Sequence, residues 1–384
     1  MRIGDEAVIS VDGLEALLTA LAGLGYETKG PVVRDGAIMP GPVQRVADLP
    51  VGTHDAQAPG RYRLEQGDDD AVFAWAVGPG SWKAEFFPPT QEVWRSTVDG
   101  DVVSTTVPDV EMAPLAVIGA RPCELAALDV LDRVLLEGAF PDPRYAARRV
   151  GTFVVVAECG SPAGTCFCVS MGTGPGAESG FDLALTELDD GDGHRFVVRV
   201  GTDRGADVLA RVPVSPATAA DLAGRDRVIS SAEAAVGRRL ETDGLAELLD
   251  RNLDHPRWDE VADRCLACGN CTLVCPPCFC SDVSDTTDLA GEVERRRTWA
   301  SCFDLDHSYL HGGPVRSSTS SRYRQWLTHK LSTWWDQFDT SGCIGCGRCI
   351  AWCPVGIDLT EEAAAIRDSD GAVRSSATSP GPAR

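Results

Sequence analysis

The stretch Cys265-Leu-Ala-Cys268-Gly-Asn-Cys271-Thr-Leu-Val-Cys275-Pro276 decides the character of the C-terminal part of this chain. A second stretch, Cys343-Ile-Gly-Cys346-Gly-Arg-Cys349-Ile-Ala-Trp-Cys353-Pro354, repeats its spacing. Both have the form C-x2-C-x2-C-x3-C-P, the pattern with which bacterial ferredoxins hold cubane iron–sulfur clusters. In two-cluster ferredoxins the fourth cysteine of each run ligates the cluster of the other run. The spacing therefore predicts two [4Fe-4S] clusters with exchanged fourth ligands.

The predicted ligands of the first cluster are Cys265, Cys268, Cys271 and Cys353. The predicted ligands of the second cluster are Cys343, Cys346, Cys349 and Cys275. Gly269 and Gly347 fit this prediction, because a chain that winds around a cluster needs residues that tolerate unusual backbone angles. The alternative is a structural zinc-binding scaffold, since zinc sites also use C-x2-C pairs. Zinc does not require four cysteines in one run ending in proline, twice over.

Length and composition set the class of protein. The 384 residues suffice for two or three domains, and 43% hydrophobic with 24% charged residues is ordinary for a globular protein. A formal charge of -22, from 57 acidic and 35 basic residues, disfavours nucleic acid and anionic lipid as partners.

The cysteines and the N-terminus indicate a compartment. Of the 15 cysteines, those in the two runs must be reduced to bind metal, which requires a reducing environment. The opening Met1-Arg-Ile-Gly-Asp-Glu lacks the basic-then-apolar pattern of a signal peptide, and no apolar run is long enough to span a membrane. We therefore expect a cytoplasmic protein without a membrane span.

The pattern of the first half predicts an α/β domain over residues 1–240. Helical spacing of leucines predicts a helix at 11–24, and a second helix is expected at 124–136. Extended segments are expected at 61–64 and 71–77, and strands at 115–119, 151–158, 182–188 and 195–200. Strand–helix alternation of this kind is typical of α/β folds.

Beyond residue 206 the sequence predicts only helices and cluster loops. Residues 322–338 predict a helix with aromatic anchors, and the long insert between the two cysteine runs favours a helical ferredoxin-like domain over the compact βαβ ferredoxin. We assign residues 241–366 to that domain. Residues 367–384 are rich in Ser, Ala, Gly and Pro and predict a disordered tail.

The remaining cysteines form two groups. Cys123, Cys159, Cys166 and Cys168 follow predicted strand ends, where functional loops usually lie, and two interpretations stay open. They are ligands of a third iron–sulfur cluster or a zinc ion, or they are buried thiols that only pack. For Cys278, Cys280 and Cys302, near the first run and in the insert, packing is the favoured interpretation. No nucleophile–base arrangement stands out, so no catalytic residue is predicted.

Several segments outside the two runs carry a family resemblance. They are Gly30-Pro-Val-Val-Arg-Asp-Gly-Ala-Ile38, Pro59-Gly-Arg-Tyr-Arg-Leu64, Phe86-Phe-Pro-Pro89, Ile118-Gly-Ala-Arg-Pro-Cys-Glu-Leu-Ala-Ala127 and Thr165-Cys-Phe-Cys-Val-Ser-Met-Gly-Thr-Gly-Pro175. With both runs, they make the chain resemble the iron–sulfur β subunits of cytoplasmic [NiFe] hydrogenases, or sulfhydrogenases, and the related iron–sulfur subunit of anaerobic sulfite reductase. Glu124 stands where the family usually has Asp, a mild departure.

The resemblance implies an electron-transfer subunit of a hetero-oligomeric oxidoreductase. Its members carry electrons through two cubane clusters between a flavin subunit that handles NAD(P)H and a catalytic redox subunit. It implies a hydrogenase-type complex first and the anaerobic sulfite reductase complex as the alternative. The catalytic motifs of either would lie on partner chains, so their absence here does not separate the two.

Overall fold

The computed structural model describes residues 1–109, 113–191 and 193–377. Its strands are β1 Glu6–Ser10, β2 Glu27–Arg34, β3 Ala37–Pro42, β4 Thr53–Ala58, β5 Arg61–Gln66, β6 Thr90–Asp99, β7 Val102–Thr106, β8 Leu115–Ala120, β9 Phe153–Ala157, β10 Leu183–Asp190, β11 Gly193–Val200, β12 Ser215–Pro216, β13 Ser281–Thr287, β14 Val293–Trp299, β15 Tyr309–Leu310 and β16 Gly313–Pro314.

The helices follow the same order along the chain. They are α1 Val11–Gly23, α2 Lys83–Phe86, α3 Pro122–Leu135, α4 Pro143–Arg149, α5 Cys168–Met171, α6 Asp203–Leu209, α7 Ala219–Ala235, α8 Leu245–Arg251, α9 Arg257–Ala262, α10 Asn270–Leu273, α11 Thr319–Thr328, α12 Trp334–Phe338, α13 Arg348–Ala351 and α14 Leu359–Ala377. Short 3₁₀ turns lie at Val46–Asp48 and Asp306–Ser308, and a π turn at His329–Thr333 joins α11 to α12.

The largest sheet forms the core of the N-terminal half, with strand order β12-β1-β11-β10-β9-β8-β2-β3. Its central strands β8 and β9 pair in parallel and are buried throughout, as their uninterrupted apolar sequences predict. Helix α1 packs its leucines into this core, and its first turn is capped by the Ser10 hydroxyl, which accepts from Gly13 N at 3.2 Å. The predicted α/β character of this half is confirmed.

The segment 71–77, predicted to be extended, joins no sheet of the described chain. Its backbone groups are bonded by side chains instead of a neighbouring strand. The buried Arg121 guanidinium donates to the carbonyls of Phe73, Trp75 and Ala76, and Glu187 accepts from the amides of Val72 and Phe73. Arg121 also donates to Ala157 O and Glu158 O at 3.2 Å each, so it joins this loop to the end of β9.

The C-terminal half has its own apolar core, built mainly from helices. The predicted helix at 322–338 is confirmed as α11, the π turn and α12. Tyr323, Trp326 and Leu327 of α11 pack with Trp258 of α9 and with Ile366 of α14. These residues surround the first cysteine run, so the aromatic anchors seen in the sequence stabilise the region that carries the cysteines.

The expectation of helices alone beyond residue 206 is wrong. Strands β13 and β14 form a hairpin in the insert, and β14 pairs with β6, which gives a second sheet of order β13-β14-β6-β7. The strand sequences Ser-Asp-Val-Ser-Asp-Thr-Thr and Val-Glu-Arg-Arg-Arg-Thr-Trp lack apolar alternation because neither strand has a fully buried face. Charge pairing replaces it, as in Arg295, whose guanidinium lies opposite Asp285 and donates to it at 2.6 and 2.7 Å.

The predicted tail also needs a correction. Helix α14 continues to Ala377, so residues 367–377 are helical rather than disordered. Within this stretch, the Asp370 carboxylate accepts from the Arg251 guanidinium at 2.8 Å and from Asn252 Nδ2 at 2.7 Å, and these bonds tie α14 to the end of α8. Residues 378–384 lie outside the described residues.

Candidate iron–sulfur centre

The two cysteine runs adopt the same local geometry. Gly269 has φ 75° and ψ -5°, and Gly347 has φ 72° and ψ -5°; each glycine precedes a one-turn helix, α10 or α13. These left-handed backbone angles cost little only for glycine. The two short helices contact each other, so the repeat in sequence is also a pair in space.

The first group of thiols surrounds a small apolar cavity. Cys265, Cys268, Cys271 and Cys353 line it together with Cys349 of the second run and with aromatic and aliphatic side chains. About 420 Å³ of the space is not filled by atoms, including the mouth that opens to solvent. Burial, followed by the charges of Cys265, Cys353 and Cys268, raises the pKa of the Cys271 thiol. Cys353 therefore lies with the three cysteines of the other run.

Two donors beside this cavity lack acceptors. Tyr323 Oη and Trp326 Nε1 are buried, and neither has a hydrogen-bond partner among the residues that the structure describes. Two backbone amides already point at sulfur: Ala267 N donates to Cys265 Sγ at 3.4 Å, and Ile357 N donates to Cys353 Sγ at 3.3 Å. Four thiols, free donors and apolar walls fit an iron–sulfur cluster, whose sulfur atoms accept hydrogen bonds.

The second group of thiols also draws one member from the opposite run. Burial raises the pKa of Cys343, Cys346 and Cys349, to about 12 for Cys343, and the nearby Cys275 thiolate raises each of them further. A hydrogen bond from Cys278, and then the Lys330 ammonium, lower the pKa of Cys275. Cys275 thus lies close enough to interact electrostatically with each of the three cysteines that the sequence assigns to the second cluster.

Lys330, Lys83 and Arg348 were missed by sequence reasoning. Lys330 Nζ donates to Cys275 Sγ at 3.0 Å, and Lys83 Nζ donates to Cys275 O at 3.0 Å. The buried Arg348 guanidinium donates to Glu124 Oε1 at 2.5 Å and so joins the second run to the start of α3. A usable signal exists for the lysines, because the sequence holds only three of them among 35 basic residues.

The N-terminal cysteines lie directly against the second run. Cys123 and Cys168 share an apolar cluster with Cys346, and Cys166 Sγ lies 3.8 Å from Cys346 O. Burial raises the pKa of Cys168 to about 12, and Cys159 is the next cause of that rise. The four thiols of the third candidate site are therefore close together.

A tight backbone contact holds that group in place. Phe167 N donates to Gly345 O at 2.8 Å, and Thr173 Oγ1 donates to Ile344 O at 2.6 Å. A methyl group at Gly345 would lie 2.6 Å from Phe167 O, closer than atoms approach. The loop that carries Cys166 and Cys168 therefore requires glycine on the second run.

The last three cysteines form hydrogen bonds with neighbouring side chains. A hydrogen bond from Cys302, with another from His307, lowers the pKa of Cys280 to about 4, while Cys278 is hydrogen-bonded to Cys275. Across the described ranges, no group of three or more His, Cys, Asp or Glu side chains is arranged as the ligands of a single metal ion.

Comparison with known proteins agrees with this geometry. Residues 264–357 match the family model of the 4Fe-4S dicluster domain. Over 253 residues the chain is 34% identical to sulfhydrogenase 2 subunit beta of Pyrococcus furiosus, and the alignment covers 65% of this chain and 73% of that protein. This chain belongs to the sulfhydrogenase β-subunit family.

The family membership settles the coarse function. A member of the sulfhydrogenase β-subunit family is an iron–sulfur subunit that transfers electrons within a hetero-oligomeric complex of the hydrogenase type. No solved structure matches the chain. In the part of the chain that the structure describes, no helix combines the length and apolar character needed to cross a membrane.

Proposed function

We propose that this sulfhydrogenase-type β subunit carries electrons between a flavin subunit that handles NAD(P)H and a catalytic [NiFe] subunit. The observation that supports this most is the exchange of cysteines, since Cys353 lies with the first run and Cys275 with the second. Two clusters held in this way are adjacent, as a chain of electron carriers requires. The name of the relative favours the hydrogenase complex over the sulfite reductase alternative.

The residues of the two sites have separate tasks in this proposal. Cys265, Cys268, Cys271 and Cys353 hold the first cluster, and Cys343, Cys346, Cys349 and Cys275 hold the second. Each bound cluster accepts and releases one electron at a time. The apolar side chains around the first cavity keep water from the thiolates, and the amides of Ala267 and Ile357 stabilise the negative charge on sulfur.

We further propose that Cys123, Cys159, Cys166 and Cys168 hold a third iron–sulfur cluster. Their support is mutual proximity, deep burial and direct packing on the second run. Cys166 and Cys168 come from the loop that bonds to Gly345, and Cys123 comes from the start of α3, beside the Arg348–Glu124 ion pair. The second cluster would then stand between the first cluster and this group.

Metal content tests the number of clusters. The full chain, prepared without oxygen, should contain about eight iron atoms for two cubanes and about twelve if the N-terminal group binds a third. If the chain holds about twelve irons, replacing Cys123 or Cys166 with Ser should lower the iron content to about eight. If it holds about eight, the same substitutions should leave the iron content unchanged. Zinc in place of iron, with no signal from a reducible cluster, would refute electron transfer.

Two single substitutions test the exchanged ligands. Cys353→Ser should damage the cluster held mainly by the first run, and Cys275→Ser the one held mainly by the second. Mössbauer and EPR spectra of Cys353→Ser should therefore lose the signal of the first-run cluster. Spectra of Cys275→Ser should lose the signal of the second-run cluster. Loss in each variant of the cluster of its own run would show that the ligand assignment is wrong.

A further inference from the structure

Lysine is rare in this chain, and two of its three lysines lie beside one cysteine. Of its 35 basic residues only Lys29, Lys83 and Lys330 are lysines. Lys83 is 3% exposed and Lys330 is 4% exposed, and both ammonium groups contact Cys275. Burial of a compact, strongly hydrated charge is costly, so this position needs a compensating negative group.

The Lys330 ammonium is directed at sulfur. Lys330 Nζ lies 3.0 Å from Cys275 Sγ and 3.8 Å from Cys278 Sγ, and it donates to Gly342 O at 2.7 Å. The cost of burying this ammonium is offset by the two sulfur atoms and the carbonyl oxygen that surround it. A positive charge is thus held beside the fourth ligand of the proposed second cluster.

Lys83 approaches the same cysteine from the backbone side. Its ammonium donates to Cys275 O and Cys278 O at 3.0 Å each and to Leu273 O at 3.4 Å. It also lies 3.9 Å from the centre of the Trp299 ring, a cation–π contact. Because its ammonium is directed at three backbone oxygens of this turn rather than at sulfur, its main effect is to fix the turn that carries Cys275.

The surroundings of the first group are different. The lining of its cavity includes no lysine or arginine among the described residues. Arg322 acts on Cys265 from a distance, but its guanidinium donates to Phe303 O at 2.5 Å. Near the second group Arg348 acts on Cys346, but its ion pair with Glu124 at 2.5 Å offsets its charge. Lys330 is therefore the charge that distinguishes the two sites.

We propose that Lys330 raises the reduction potential of the second cluster above that of the first. An electron added beside a fixed positive charge in a low-dielectric interior is stabilised, whereas the apolar first site offers no such charge. An electron shared by the pair would then reside on the second cluster, next to the N-terminal cysteine group. This inference rests on the proposed function, because it requires the ligand sets given above.

An EPR-monitored redox titration of the full chain with its clusters tests the proposal. Lys330→Gln removes the charge and keeps a donor, so it should lower the higher midpoint potential. We expect at least about a tenfold shift of that reduction equilibrium, which is about 59 mV for one electron. Lys330→Arg, which keeps the charge, should shift it less. Cys346→Ser identifies which signal belongs to the second cluster.

Lys29 is the matched control. It pairs with Glu85 at 2.7 Å and Glu27 at 3.4 Å, and among the described residues it has no ion pair or hydrogen bond with a cysteine, so Lys29→Gln should leave both potentials unchanged. An unchanged higher potential in Lys330→Gln, or a shift of the lower one instead, would overturn the proposal. If that variant fails to assemble its second cluster, Lys330→Met, which removes the charge and keeps much of the side-chain volume, carries the same measurement. An unmodified chain with fewer than about eight irons, or with fewer than two cluster signals, would refute the proposed function instead.

Discussion

The two motif glycines allow a matched pair of substitutions. Gly269 and Gly347 have almost the same left-handed backbone angles, with φ 75° and 72°. Replacing either with alanine places a Cβ in a conformation that costs about 1–2 kcal/mol for an L-residue. This part of the destabilisation should be equal in the two variants.

The space around the two glycines is not equal. A Cβ at Gly347 would lie 2.3 Å from the backbone oxygen of Thr165, which belongs to the loop that carries Cys166 and Cys168. A Cβ at Gly269 would meet only side-chain atoms, Ser301 Oγ at 3.0 Å and Ser301 Cβ at 3.2 Å, and a shift of a few tenths of an ångström relieves this approach. Forcing extra volume against backbone in a packed interior costs about 1–3 kcal/mol. We therefore expect Gly347→Ala to lose about 2–5 kcal/mol and Gly269→Ala about 1–2 kcal/mol.

Urea unfolding followed by circular dichroism measures this difference in the free energy of unfolding. Both variants should be compared with the unmodified chain at the same iron content, because bound metal stabilises the folded state. Equal losses in the two variants, or a larger loss for Gly269→Ala, would refute the argument that the Thr165 backbone packs on the second run.

Three other changes have defined outcomes. Arg348→Met leaves Glu124 buried without its partner and should lower the free energy of unfolding by about 3–5 kcal/mol in urea titrations, with partial recovery when Glu124→Gln is added. Arg121→Met removes the donor to five backbone carbonyls and should lower the free energy of unfolding by at least about 3 kcal/mol. Circular dichroism should show this loss as a fall in Tm. An unchanged Tm would mean that water replaces the guanidinium. Removing iron with a chelator should lower Tm because the grouped thiols lose their shared positive partner, and reconstitution with iron and sulfide should restore it; a Tm independent of iron would separate folding from the cysteine groups.

The pattern of apolar residues predicts those helices and strands that bury one face, as α1 does, or all of their residues, as β8 and β9 do. The spacing of the leucines predicts helix α1, and the unbroken apolar runs predict the buried strands β8 and β9. The hairpin of β13 and β14 carries no such signal, because its stability comes from cross-strand charge pairs and from pairing with β6, distant in sequence. Residues 71–77 have strand-like composition, but Arg121 and Glu187 take the backbone bonds that a neighbouring strand would have made.

Some residues of the candidate site can be predicted from the sequence, and others are recognised only from the fold. The eight motif cysteines can be read from spacing because a cubane imposes that spacing on the chain. For Lys330 only the rarity of lysine in this chain is a signal, because its neighbours His329 and Leu331 form no motif and only the fold places it beside Cys275. The proximity of Cys123 to Cys346 is likewise a product of tertiary packing, since no local pattern links residues so far apart.

The sheet β13-β14-β6-β7 has a consequence for any attempt to divide this protein. Two of its strands come from residues before 110 and two from residues after 280, so a fragment starting at residue 241 would keep the hairpin but lose the strand beside β14. That fragment would present the bare backbone edge of β14 to solvent, which invites pairing with another chain. The cysteine-rich half is therefore not a detachable ferredoxin, and a gene fusion or truncation that treats it as one should yield aggregates rather than a small electron carrier.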